Sequence, residues 1–124
     1  MNLLAIFLGG GAGALARYGF AAFVSRQMGS GFPWGTLAVN LLGAFLMGLI
    51  VELLALKINL PPSARLLLTT GFLGGFTTFS AFSLESALMW QKGAYLPLSL
   101  YIGASVIGTI AVLLAAMQLV RTLP

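Results

Sequence analysis

The 124-residue sequence contains no cysteine, no histidine and only two acidic residues, Glu52 and Glu85. Without cysteine there is no disulfide framework and no thiolate ligand for a metal. Without histidine, and with no carboxylate pair on one predicted face, the usual acid–base and nucleophilic constellations of an enzyme are missing. Charge as a whole is scarce. Only 6% of residues are charged and 60% are hydrophobic, whereas a soluble domain carries roughly 25% charged residues. The six Lys and Arg outnumber the acids and give a net charge of +4. They are scattered singly, with no basic run or aromatic-interleaved patch to follow phosphates, and their spacing suits the loop ends of a membrane protein. The length fits one domain, 1–124, and no interior stretch is polar enough to link two.

What is present is hydrocarbon in long runs. A bilayer core needs roughly 20 mostly apolar residues per helix, and four stretches qualify: about Leu3 to Val24, Trp34 to Leu56, Leu66 to Trp90 and Leu96 to Val120. The predicted fold class is therefore an all-α integral membrane protein of four transmembrane helices, a multi-pass protein of the cell membrane. The breaks read SRQMGSGFP, KINLPPSAR and QKGAYLP, each with Gly or Pro and a cation. Trp34, Trp90 and Tyr95 fall near predicted ends, where amphipathic rings favour the headgroup level. No repeat at a fixed period and no low-complexity tail is visible.

The first span admits two other readings. LLAIFLGGGAGALAR has the apolar core and Ala-x-Ala site of a signal peptide but no basic n-region. Gly9, Gly11 and Ala14 match G-x-G-x-x-A, yet the acidic partner of a dinucleotide site is missing, since the first acid is Glu52. Close helix packing through Gly9 and Gly13 is the commoner meaning of such glycines. Charge counting then gives almost no orientation bias: Lys57, Arg65 and Arg121 face Arg26 and Lys92 across the membrane, with Arg17 inside a span. Both orientations are open. If both accumulate, two copies can pair head to tail as an antiparallel homodimer, an inverted-repeat arrangement split over two chains.

Four small helices cannot enclose a wide aqueous channel, so a permeant path should show as narrow polar stripes. Thr36, Asn40, Gly43 and Met47 share a face of the second span. Asn40 lies well inside the hydrocarbon and reads equally as interhelical glue or as a ligand-binding donor. Tyr101, Ser105 and Thr109 form a hydroxyl stripe on the fourth span, able to serve an ion while leaving the path neutral.

The third span is the least helical by composition. Gly71, Gly74 and Gly75, followed by Thr77 and Thr78, cost about 1 kcal/mol per glycine relative to alanine, so a break or unwound turn is expected near its centre. Backbone freed at that depth must be buried in protein or line a cavity, and its carbonyls could hold a small cation. Phe79 and Phe82 share a face just beyond. They could simply pack in the core. Alternatively, ring edges are positive, so a cage of Phe edges can steady an anion without the tight binding of a fixed Lys or Arg that would slow its exit. Glu52 is expected to reach water at a span end, and Glu85 to lie at a pore mouth or in solvent. Arg17, inside a span, is a vestibule or inter-subunit candidate that could also snorkel.

Three segments, GGAGALARY from Gly10 to Tyr18, GTLAVNLLGAFLMG from Gly35 to Gly48 and GFLGGFTTFSAFSLE from Gly71 to Glu85, together resemble the Fluc (CrcB) fluoride channel family over the whole chain. The resemblance implies an antiparallel, dual-topology homodimer with two narrow pores and a broken third helix. Its implied function is the passive, electrogenic export of fluoride that enters acidified cells as the neutral acid, which protects against fluoride toxicity. It implies Asn40 as the pore amide, Phe79 and Phe82 as the rings facing fluoride, and Ser80, Tyr101, Ser105 and Thr109 as members of the polar track, with Thr36 on the same stripe as Asn40. It also implies that the carbonyls of Gly74 and Thr77 hold a structural sodium ion at the dimer axis, and that Glu85 is the acid following the Phe pair. Ala81 departs from the threonine common at its place and removes one hydroxyl. The rival is a small dual-topology proton-coupled multidrug exporter, which needs a membrane-embedded carboxylate that the first span lacks. A structural subunit whose stripes are packing glue is a further alternative.

Overall fold

In a lipid setting every backbone amide and carbonyl must be satisfied within its own segment, which makes helices of the apolar runs. The computed structural model describes residues 1–124 and is all helical. The order is α1 (Asn2–Met28), α2 (Trp34–Leu56), α3 (Pro62–Leu66), a π-helical stretch (Leu67–Leu73), α4 (Gly74–Phe76), α5 (Phe79–Gln91) and α6 (Tyr95–Arg121). Counted as one unit, Pro62–Gln91 joins α1, α2 and α6 as four segments long and apolar enough to cross a membrane.

Chain punctuation sets the ends. The helix α1 runs past Val24 to Met28 because Ser25, Arg26 and Gln27 continue it until Gly29, whose φ of 88° lies in the left-handed region that glycine tolerates. Gly93, with φ of 73°, closes the turn after α5 in the same way. The third unit begins at Pro62 and not at Leu66, since proline at the first helical position gives up only an amide that had no partner. Pro97 sits in the first turn of α6, where it is tolerated for the same reason.

Small residues bring the helices together. Gly9 and Gly13 are buried on α1, and a Cβ at either would run into the backbone of Leu67–Phe72. A Cβ at Gly75 would strike the Gly10 carbonyl, and one at Gly48 the Leu113 carbonyl of α6. The close approach expected of Gly9 and Gly13 is thus directed at the π-helical stretch. Between apolar helices in lipid, such backbone contact is what drives association, because burying hydrocarbon against hydrocarbon gains little.

Just 17 of 124 residues are buried in the single chain, so most of its apolar surface must be covered from outside. Phe7, Leu15, Tyr18 and Ile107 all face outward, as lipid or another chain would require. The span-end position of Glu52, which led to the expectation of solvent, does not decide its surroundings. Glu52 does not reach water: it is 5% exposed, and Arg121 Nε donates to its Oε1 at 3.4 Å. The cause is geometric, since Glu52 on the last turns of α2 faces α6, whose final turn carries Arg121. Its Oε2 has no hydrogen-bond partner in the chain.

Candidate functional site

The site begins where the third unit stops being helical. Thr77 (φ −87°, ψ 158°) and Thr78 (φ −150°, ψ 122°) are extended. Two extended residues between helices take their amides and carbonyls out of the helical ladder, so these groups need other partners. Asn40 of α2 meets this demand with both ends of its side chain. Its Oδ1 accepts from the Thr78 amide at 2.8 Å, and its Nδ2 donates to the Thr78 carbonyl at 3.0 Å. Thr78 in turn caps α5, its Oγ1 accepting from the Ala81 amide at 3.1 Å. Thr77 Oγ1 donates back to the Leu73 carbonyl at 3.0 Å. Gly43 makes room for this corner, because a Cβ there would overlap the Thr77 methyl.

These bonds leave carbonyls over. In an uninterrupted helix the Thr78 amide would bond the Gly74 carbonyl, and the Ala81 amide that of Thr77. Both donors are spent elsewhere, on Asn40 and on the Thr78 hydroxyl, and the Thr77 carbonyl accepts no hydrogen bond. The neighbouring Gly75 carbonyl is met by Arg17, whose Nε donates at 3.1 Å. Arg17 is therefore tied to the edge of the corner and is not loose in the headgroups.

A cavity of about 410 Å³ opens beside the corner, lined by Asn40, Gly43, Met47, Thr77, Thr78, Phe79, Phe82, Ser105 and Thr109 with a few aliphatic neighbours. No charged side chain lines it. Asn40 Nδ2 carries two protons, and one is left after the bond to Thr78. Ser105 Oγ is buried without a partner, so its proton is available too. Thr109 differs: its hydroxyl proton is spent on the Ser105 carbonyl at 2.6 Å. The Phe82 ring is buried and lies 5.1 Å from the Tyr101 ring and 5.4 Å from Phe79. Phe79 is 75% exposed in the single chain, so one ring is anchored and its neighbour stands at the open side.

The remaining candidates sit elsewhere. A second cavity of about 530 Å³ is lined by Thr36, Arg17, Ser25, Glu85 and Thr78, among others. Thr78 lines both cavities, which puts the Asn40 clamp at their junction. Tyr101 is fully buried and lines neither; its hydroxyl donates to Glu85 Oε1 at 3.1 Å, while an edge-on contact at 5.5 Å joins its ring to Phe32. Ser80 is exposed, lines neither cavity, and lies 3.3 Å from the Thr78 hydroxyl. Thr78 is the residue that reading by stripes overlooks. The available signal was its place as a threonine immediately before a helix, the N-cap position.

Set beside known proteins, the chain matches the family described as CrcB-like protein, camphor resistance (CrcB), over residues 4–117. It is 48% identical over 122 residues to the fluoride-specific ion channel FluC of Chelativorans sp. (strain BNC1), covering 98% of each chain. With the protein of that name from Granulibacter bethesdensis the identity is 49% over 123 residues, covering 99% of this chain and 97% of the relative. With that of Rhizobium johnstonii it is 45% over 123 residues, covering 99% and 98%.

Proposed function

The chain belongs to the CrcB-like family, and from that premise we propose that it is a fluoride-selective channel carrying the anion passively and electrogenically out across the cell membrane. The observation that carries the proposal is the uncharged cavity, in which Asn40, Ser105 and two phenylalanines converge with no lysine or arginine. Fluoride leaves water only if its hydration is replaced. The spare Asn40 proton and the free Ser105 hydroxyl supply donors, and ring edges of Phe79 and Phe82 supply positive rim charge. Since none of these is ionic, the anion is held weakly enough to move on. Thr109 and Tyr101, whose protons are already engaged, shape the track without donating to the anion, and Thr36 continues it into the second cavity. Ser80 acts by way of the Thr78 hydroxyl beside it. Arg17 and Glu85 belong to a vestibule.

The working unit in this proposal is an antiparallel homodimer of oppositely inserted chains, with the third helix broken at membrane depth by Thr77 and Thr78. The exposed Phe79 ring and the largely unburied chain support a second copy. A sodium ion is proposed at the axis, held by the carbonyls of Gly74 and Thr77 from each chain. Both have lost their helical donors, and carbonyl oxygen is the ligand a hard cation takes. That ion would supply a fixed positive charge that ties the two breaks together. The multidrug-exporter alternative finds no support, since Glu52 is ion-paired and Glu85 hydrogen-bonded.

The test is reconstitution into potassium-loaded liposomes with valinomycin and an ion-selective electrode. The expected result is rapid fluoride efflux with little chloride movement. Equal efflux of both halides, or none of either, would reject the proposal.

A further inference from the structure

Arg26, Lys57, Arg65 and Lys92 all lie outside the proposed path, and of these Lys92 lines a cavity that it shares with Glu85. Lys92 caps the end of α5 and lines a small cavity of about 170 Å³ together with Ser30, Glu85 and the turn between α1 and α2. Glu85 also lines the Arg17 cavity, so the two hollows share this residue. Phe32, in the same turn, packs edge-on against Tyr101, and Tyr101 holds Glu85. The turn is thereby linked to Glu85 through Tyr101. Lys92 makes no ion pair and no side-chain hydrogen bond, and it is exposed. An anion arriving from this side meets a carboxylate that repels it, with a free ammonium two helical turns further out, about 10 Å along α5.

We infer that Lys92 gathers anions at the mouth of the path, its charge offsetting that of Glu85 in the outermost cavity. The inference rests on the channel reading and assigns the residue that sets the anion's arrival rate at this end. The effect is long-range and aqueous, so it obeys Coulomb's law in high dielectric and is screened by salt. It acts on arrival and not on the weak binding inside, which is how surface charge steers ligands. Small monovalent anions are all gathered alike, and selection is left to the uncharged cavity.

The experiment compares fluoride efflux from liposomes carrying the wild-type chain, Lys92→Arg, Lys92→Gln or Lys92→Glu, at about 10 mM and at about 1 M ionic strength, where the screening length shrinks from roughly 30 Å to 3 Å. At low ionic strength Lys92→Arg should match wild type, Lys92→Gln should fall roughly twofold and Lys92→Glu roughly fourfold, from one and two unit charges at about 10 Å in water. At high ionic strength all four should converge. Charge-independent efflux at low salt would overturn the inference and leave the channel reading standing. A deficit that persists at high salt would overturn it as well, by marking a structural role. A wild-type chain that passes no fluoride would overturn both.

Discussion

Replacing Asn40 by aspartate changes one atom and tests the site at its centre. Oδ1 still accepts from the Thr78 amide, while the group that donates to the Thr78 carbonyl at 3.0 Å becomes a second acceptor. Two penalties follow. The first is structural: an unsatisfied carbonyl at the corner costs about 1–3 kcal/mol. The second is electrostatic. A carboxylate about 5 Å from an anion in the neighbouring cavity repels it by about 3 kcal/mol at an effective dielectric constant of about 20, which is roughly a hundredfold in occupancy. Purified Asn40→Asp should therefore remain helical and elute as the wild type does, melt several degrees lower, and pass fluoride about two orders of magnitude more slowly in the liposome assay. A folded Asn40→Asp protein with wild-type efflux would refute the reasoning, because no anion could then be passing the Asn40 side chain.

The two phenylalanines separate stability from conduction. Phe82→Ala should cost about 3–5 kcal/mol of stability as a buried ring is lost. Phe79→Ala, whose ring is exposed in the single chain, should cost less stability than Phe82→Ala while still slowing efflux more than tenfold; equal melting losses would contradict the burial difference. Among the hydroxyls, Ser105→Ala should slow fluoride several-fold and Thr109→Val much less, because only the Ser105 proton is free; the reverse order in the same assay would count against the donor account. Arg121→Met should destabilise the chain by about 1–3 kcal/mol, less than for a fully buried pair because the Arg121 side chain is 57% exposed while that of Glu52 is 7% exposed. Chemical denaturation would reveal this, and an unchanged midpoint would show that Glu52 finds another partner.

The four spans were legible because hydrocarbon runs of bilayer length have few other uses. Their ends were less so: Ser25–Met28 look like loop by polarity, yet the helix continues until a residue able to take positive φ arrives at Gly29. Of the stripe Thr36, Asn40, Gly43 and Met47, the last three line the uncharged cavity and Thr36 lines the second one, a shared face that helical periodicity makes readable in one dimension. What Asn40 bonds to was not legible, because its partner is the backbone of Thr78, and main-chain atoms leave no trace in residue type. Glu52 misled for a similar reason. Proximity to a span end suggested water, whereas its fate is decided by Arg121, 69 positions away in the chain. Ser80 sits inside the most diagnostic motif yet lines neither cavity in the single chain, and its polar neighbour there is the Thr78 hydroxyl, a contact that residue type alone does not announce.

The absence of native cysteine makes the most direct test of the route possible. A thiol placed at the cavity wall by Val106→Cys, modified with a bulky methanethiosulfonate before reconstitution and verified by mass, should abolish fluoride efflux, while the same modification of Ile107→Cys, exposed and outside the cavity lining, should leave it intact. Fluoride flowing at full rate past a fully modified Val106→Cys would contradict the claim that the anion travels through the uncharged hollow beside Asn40.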